Sequence, residues 1–272
     1  MARFVCTHVS KALGQETDIT IVLPHQDVIE PLSPAEPDWP NHPGWRHSQP
    51  QRSKPGVLYL LHGLNGNHSV WNTYSRLDHL ADQHNVAIVC PSGYRSFWIN
   101  QALGMRVRDW VTEELPRFIK RTFDVDTSRE RTYIGGMSMG GFGAVYLALQ
   151  RPDLYGHVFS LSGVLDVNDS IGRKSLPGFY HTSLGGADPK GTEYDLLASV
   201  CTYADKCAHH GVTTPDMAIL CGTEDSLLNQ SQRFCQSART AGVTVYEDYR
   251  PGEHDYKYWT PALYHAMDML AN

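Results

Sequence analysis

The chain has 272 residues, 41% of them apolar and 19% charged, with a formal net charge of −6. That length and apolar content suffice for one sizeable core, and the acidic balance points away from nucleic acid and from anionic membrane surfaces. No stretch approaches the roughly 18 apolar residues that a membrane span needs, and the N-terminal residues lack an apolar region with a small-residue cleavage site, so the expectation is a cytoplasmic protein.

Taken in order, "ETDITIVLP" alternates and reads as a strand. Seven prolines between 31 and 55 then exclude regular helix and central strand, which marks a long surface insertion. "VLYLLHG" (57–63) and "VAIVCPSG" are short continuous apolar runs of the buried-strand kind, with "HSVWNTYSRLDHLADQHN" as a helix between them. "RVRDWVTEELPRFIKRTF" carries a helical apolar stripe interrupted by Pro116. "RTYIGGMS" reads as a strand, "GGFGAVYLALQRP" as a helix and "HVFSLSG" as a strand. Residues 166–200 look irregular and could form a small cap. "MAILCG" and "VTVYEDYR" are two more strands around the helical "LLNQSQRFCQSARTAG". Strands alternating with helices predict an α/β fold with a mostly parallel central sheet and helices on both faces. No internal repeat or second domain is seen, so residues 1–272 are expected to form one domain.

"TYIGGMSMGGFGAVYLAL" places Ser138 among glycines 135, 136, 140, 141 and 143, between a strand and a helix. That is the setting in which G-x-S-x-G forms a sharp turn with an exposed serine hydroxyl. Glycine is needed two residues to either side, where side chains would collide with neighbouring elements, and the serine backbone itself is strained. The alternative, a glycine-rich turn with an incidental serine, explains neither flanking element. A dinucleotide site is excluded, because "GGMSMGG" is no G-x-G-x-x-G at a first βα unit.

A serine hydroxyl needs a base to become a nucleophile. In this architecture the order is serine, acid, histidine. The acidic pair Glu224–Asp225 follows the strand "AILCG", and His254 follows the last strand in a glycine turn, "YRPGEHDYKYW". The other histidines after Ser138 lie in loops, at a strand start or on the terminal helix, where surface or packing roles suit them better. Two backbone N–H groups should hold an oxyanion: that of Met139, after the serine, and that of Leu64, in the loop after the first buried strand. Trp71, Phe97, Trp98, Phe179 and Tyr180 follow the C-terminal edge of the sheet and are candidates to line a substrate pocket, with core packing as the alternative for each.

Together "LYLLHGLNGNHSVW", "VTEELPRFIKRTF", the Ser138 segment, "CGTEDSLL" and "PGEHDYKYW" resemble the α/β-hydrolase superfamily, and within it the esterase-D and tributyrin-esterase group. That group includes S-formylglutathione hydrolases and relatives of feruloyl and acetylxylan esterases. The resemblance implies the α/β-hydrolase fold, with Ser138 as nucleophile, Asp225 as acid, His254 as base, and Leu64 and Met139 as oxyanion donors. It implies a serine carboxylesterase acting on short-acyl or aryl esters through an acyl-enzyme. Thioester hydrolysis, S-formylglutathione included, and feruloyl or carbohydrate-acetyl ester hydrolysis are the alternatives. The 31–55 insertion is longer than the family's usual loop. Its apolar Trp39 and Trp45 make it a candidate for controlling substrate access or for self-association as a homo-oligomer.

No cofactor is expected. Cys201, Cys207, His209 and His210 are close in sequence, but their spacing fits no standard zinc pattern. The expected partner is a small ester, not nucleic acid or membrane.

Overall fold

The computed structural model describes residues 1–25, 53–169 and 179–271. Eight strands form one sheet in the order β1-β2-β4-β3-β5-β6-β7-β8. They are β1 (Ala2–Ser10), β2 (Gln15–Leu23), β3 (Gly56–Leu61), β4 (Val86–Pro91), β5 (Thr132–Met137), β6 (His157–Leu161), β7 (Asp216–Gly222) and β8 (Val245–Arg250). β1 and β2 form an antiparallel hairpin, and β2 runs antiparallel to β4. The remaining pairings, from β4 through β3, β5, β6 and β7 to β8, are parallel. The parallel strands at the centre are the continuous apolar runs, because helices cover both their faces.

β3 shows how the two layers arise. Val57, Tyr59 and Leu61 enter one core, while Leu58 and Leu60 enter the other. The second core is closed by α1 (Val70–Tyr74), α2 (Leu77–His84) and the C-terminal α9 (Tyr256–Leu270) through Trp71, Leu80, Leu263 and Met267. The first is closed by helices that include α3 (Val107–Asp109), α4 (Leu115–Thr122), α5 (Met139–Gln150), α6 (Leu196–Val200), α7 (Tyr203–His209) and α8 (Leu228–Thr240). α5 is apolar all round and almost wholly buried, as a helix lying against the middle of a sheet must be.

Several local expectations change. The N-terminal residues, read without a strand, form β1; its inward residues are few, so the alternation is faint against an exposed edge. The helix expected across 68–85 is two helices, separated at Ser75 and Arg76. The stripe around Pro116 stays helical through a wide turn at Trp110–Glu114, in which Leu115 N–H donates to the Trp110 carbonyl. Widening the helix just ahead of a residue that cannot donate avoids a break. His209 ends α7 rather than lying in a loop. The 31–55 insertion lies almost wholly outside the described residues, as do 170–178 of the irregular 166–200 segment. In the described part of that segment, the carbonyls of Thr182 and Ser183 accept from the N–H groups of Leu103 and Ala102. Among the described residues, no helix is long and apolar enough to cross a membrane.

Candidate active site

β5 ends at Met137 and α5 begins at Met139, so the chain reverses on Ser138 alone. Ser138 has φ 54° and ψ −116°, a backbone conformation that side-chain-bearing residues rarely adopt. It is held by its N–H donating to the Leu161 carbonyl (2.9 Å) and by its own carbonyl, which accepts from Phe142 (3.1 Å) and Val164 (3.3 Å). The flanking glycines are required by contact. A Cβ on Gly136 would stand 2.6 Å from the Leu61 carbonyl oxygen, and one on Gly140 2.4 Å from the same atom. Helix and strand can therefore close on the end of β3 only with hydrogen at both positions.

Three loops at the C-terminal edge of the sheet converge on this serine. The loop after β8 brings His254, whose Nε2 lies 2.9 Å from Ser138 Oγ. The loop after β7 brings Asp225, whose Oδ2 lies 2.8 Å from His254 Nδ1. The Asp225 side chain is fully buried, whereas that of His254 is 36% exposed. The loop after β3 brings Gly63 against Ser138, an added Cβ there lying 3.6 Å from the serine Cβ. Leu64 follows. Its N–H has no protein acceptor among the described residues, and Met139 N–H opens α5 ahead of the first intrahelical bond.

The loop after β3 is braced from beneath. Trp71 Nε1 donates to the Leu61 carbonyl (3.0 Å) and Trp98 Nε1 to the His62 carbonyl (3.3 Å). The His62 ring sits against Trp98 with centroids 4.9 Å apart. Its Nε2 accepts from Gly93 N–H (2.9 Å), and its Nδ1 donates to the Gly63 carbonyl (2.6 Å). Burial pulls the His62 ring down to about 4, so it is neutral in this arrangement.

These contacts correct the pocket expectation for Trp71, Phe97 and Trp98. All three are at most 1% exposed and belong to the cores, so they cannot meet a ligand without moving. Phe179 is likewise buried, packed against Phe97. The Tyr180 side chain lies outside the described set. Trp98 is admitted by Gly93 and Gly143, where a Cβ would stand 2.4 Å from the indole.

Residues 42–270 match the family model described as "Putative esterase". The chain belongs to this esterase family. It is 27% identical over 224 residues to an acetyl esterase of Caldicellulosiruptor saccharolyticus, covering 79% of this chain and 83% of that protein. It is also 27% identical over 208 residues to an S-formylglutathione hydrolase of Mus musculus, covering 68% and 69%. Among solved structures, FphF, a fluorophosphonate-binding serine hydrolase of Staphylococcus aureus, superposes with a TM-score of 0.79 at 23% identity, covering 100% of this chain and 98% of that one. A ferulic acid esterase superposes with a TM-score of 0.73 at 21% identity, covering 99% and 97%. The structural likenesses carry the α/β-hydrolase fold, and the family and its relatives make this protein an esterase.

In this esterase the other acidic groups near the histidine have separate tasks. Asp255, the sequence neighbour of His254, caps α9 by accepting from the N–H groups of Lys257 (3.0 Å) and Tyr258 (3.2 Å). Glu224 clips the two loops together: its carboxylate accepts from Gly252 N–H (2.5 Å), and its own N–H donates to the Gly252 carbonyl (3.1 Å). Asp225 faces the other way. Burial pushes its carboxyl upward, but hydrogen bonds from His254, Leu227 N–H and Ser162, with the charge of protonated His254, outweigh that. They hold it below the ordinary carboxylate value. Sequence reasoning saw Glu224 only as the acidic neighbour of Asp225, and it passed over His62, at which only the glycine spacing of "HGLNG" hinted. Cys201 is exposed and Cys207 buried, and among the described residues no group of three or more His, Cys, Asp or Glu is arranged to hold a metal ion.

Proposed function

We propose that Ser138 is the nucleophile of a two-step ester hydrolysis in which His254 is the base and Asp225 its acid partner. The observation that carries this reading is the unbroken line Ser138 Oγ, His254 Nε2 (2.9 Å), His254 Nδ1, Asp225 Oδ2 (2.8 Å). His254 takes the hydroxyl proton as Ser138 attacks the ester carbonyl, and then gives it to the leaving alcohol. Water repeats the sequence on the acyl-enzyme. The backbone N–H groups of Leu64 and Met139 would hold the oxyanion, since neither has a protein acceptor among the described residues. Asp225 orients the imidazole and stabilises its charged form.

Short-acyl esters, acetates first, are the proposed substrates, supported by the acetyl esterase relative that matches 79% of the chain. Hydrolysis of S-formylglutathione is the second reading, supported by the relatives of that name at the same identity. A cytoplasmic site of action is supported by six cysteines that are all free thiols.

A fluorophosphonate probe with peptide mapping tests the nucleophile. Labelling should fall on the peptide that contains Ser138 and vanish in Ser138→Ala. Labelling elsewhere would defeat the assignment. Turnover of p-nitrophenyl esters of rising acyl length, beside S-formylglutathione, ranks the two substrate readings by kcat/KM.

A further inference from the structure

Both ring nitrogens of His254 are engaged, Nδ1 with Asp225 Oδ2 (2.8 Å) and Nε2 with Ser138 Oγ (2.9 Å). Two bonds at opposite corners of a ring fix a line, not a plane, so the tilt of the imidazole about that line is set by a third contact. Trp259, near the start of α9, supplies it. Its indole stands at 88° to the imidazole with ring centroids 4.8 Å apart, which is an edge-to-face pair. The indole is itself held. Tyr256 packs on it at 84° and 5.0 Å, and Tyr74 stacks on Tyr256 at 3.8 Å. The Trp259 N–H donates to the Asp255 carbonyl (3.0 Å), within the turn that the Asp255 carboxylate caps.

We propose that Trp259 is a positioning residue for catalysis: its indole sets the plane of the His254 imidazole, so that the ring takes the proton from Ser138 and passes it to the leaving alcohol without turning away. The inference rests on the reading of Ser138, His254 and Asp225 as the catalytic set, and Trp259 acts through His254. The base needs such a wall because its side chain is 36% exposed, whereas that of Asp225 is fully buried. A second observation says what part of the indole is used. Trp259 is 7% exposed, and its Nε1 is buried with no hydrogen-bond partner among the described residues. The ring is therefore oriented by packing alone, and His254 meets its aromatic surface rather than its polar atom. A phenyl ring keeps such a contact, and a flexible or branched aliphatic chain does not.

The test compares Trp259→Phe, Trp259→Leu and Trp259→Met on p-nitrophenyl acetate, alone and combined with His254→Ala, alongside urea midpoints. The leucine and methionine variants should lower kcat about tenfold, within the roughly hundredfold that a misplacement of about 1 Å costs, with KM changed less than about twofold. Methionine fills irregular gaps, so it carries the test where the leucine variant folds poorly. Trp259→Phe should stay within about threefold of wild type. Inhibition by phenylboronic acid, whose tetrahedral adduct on the serine mimics the transition state, should weaken in the aliphatic variants by the same factor as kcat. In the His254→Ala background the Trp259 substitutions should change kcat less than about twofold, because the ring they act on is gone. A packing role alone would lower the urea midpoints and leave the folded enzyme at wild-type kcat, which would overturn the proposal. Equal losses in the phenylalanine and aliphatic variants, or a full tenfold loss in the His254→Ala background, would also overturn it. Near-wild-type turnover in His254→Ala by itself would overturn it through the assignment of the base, a failure distinct from an indifferent Trp259.

Discussion

Gly222 and Gly252 are pressed together so closely that a Cβ on Gly222 would stand 2.0 Å from the Gly252 carbonyl oxygen. One glycine ends β7, and the other lies in the loop after β8. Their contact is what brings the loop of Asp225 beside the loop of His254. The N–H of Thr223 donating to the Arg250 carbonyl (2.9 Å) and the Glu224 bonds to Gly252 fasten the same seam.

Gly222→Ala should therefore separate Asp225 from His254. The obstructing atom is a backbone oxygen that cannot rotate aside, so the loops must part. The expected result is a loss of kcat of at least tenfold, with a stability cost of about 1–3 kcal/mol for overpacking, read from steady-state kinetics and a urea midpoint. Wild-type turnover in a folded Gly222→Ala protein would show that the seam does not set the histidine's position.

The two aspartates nearest His254 should part company on substitution. Asp225→Asn should lower kcat by up to about 10⁴ with little change in fold, because an amide there favours the wrong imidazole tautomer. Asp255→Ala removes the α9 cap and should cost about 1 kcal/mol of stability, with kcat within a few-fold of wild type. Kinetics and thermal unfolding on the same preparations separate these outcomes. A crippled Asp255→Ala enzyme beside an active Asp225→Asn enzyme would reassign the acid.

His62 should make the protein acid-labile. Its ring titrates at about 4 when folded and near 6.5 in an unfolded chain. Between those values the unfolded state binds the extra proton, so stability falls as the pH falls through that window. The contribution is fully present above roughly pH 6.5 and has dropped by about 3 kcal/mol near pH 4. Urea unfolding at steps from pH 7 to pH 4.5 should show a steeper fall for the wild-type protein than for His62→Asn, which begins less stable but lacks the titrating ring. Parallel slopes would mean that His62 is not the group responsible.

The elements with strong local patterns were legible without coordinates. The apolar runs of β3, β4, β5, β6 and β7 cannot face water on either side, and their alternation with helical stripes leaves a parallel sheet as the arrangement that buries both faces. The turn at Ser138 was legible for a similar reason: glycines on both sides of one serine, between a strand and a helix, answer a steric demand that lies within a few residues. β1 escaped notice because an edge strand buries little, so its alternation is weak.

What the tertiary structure decided is which distant groups meet. Glu224 and Asp225 are adjacent carboxylates, and Asp255 lies 30 residues beyond Asp225 in the chain. The packing of Gly222 on Gly252 makes the first a clip and the second the partner of His254, while the third caps its own helix locally. Trp71 and Trp98 look from sequence like pocket walls because they follow the sheet edge, yet both turn inward to hold the carbonyls of Leu61 and His62. Local sequence sets the period of a strand and the steric needs of a turn, while the direction of a side chain at a strand end depends on its neighbour across the sheet.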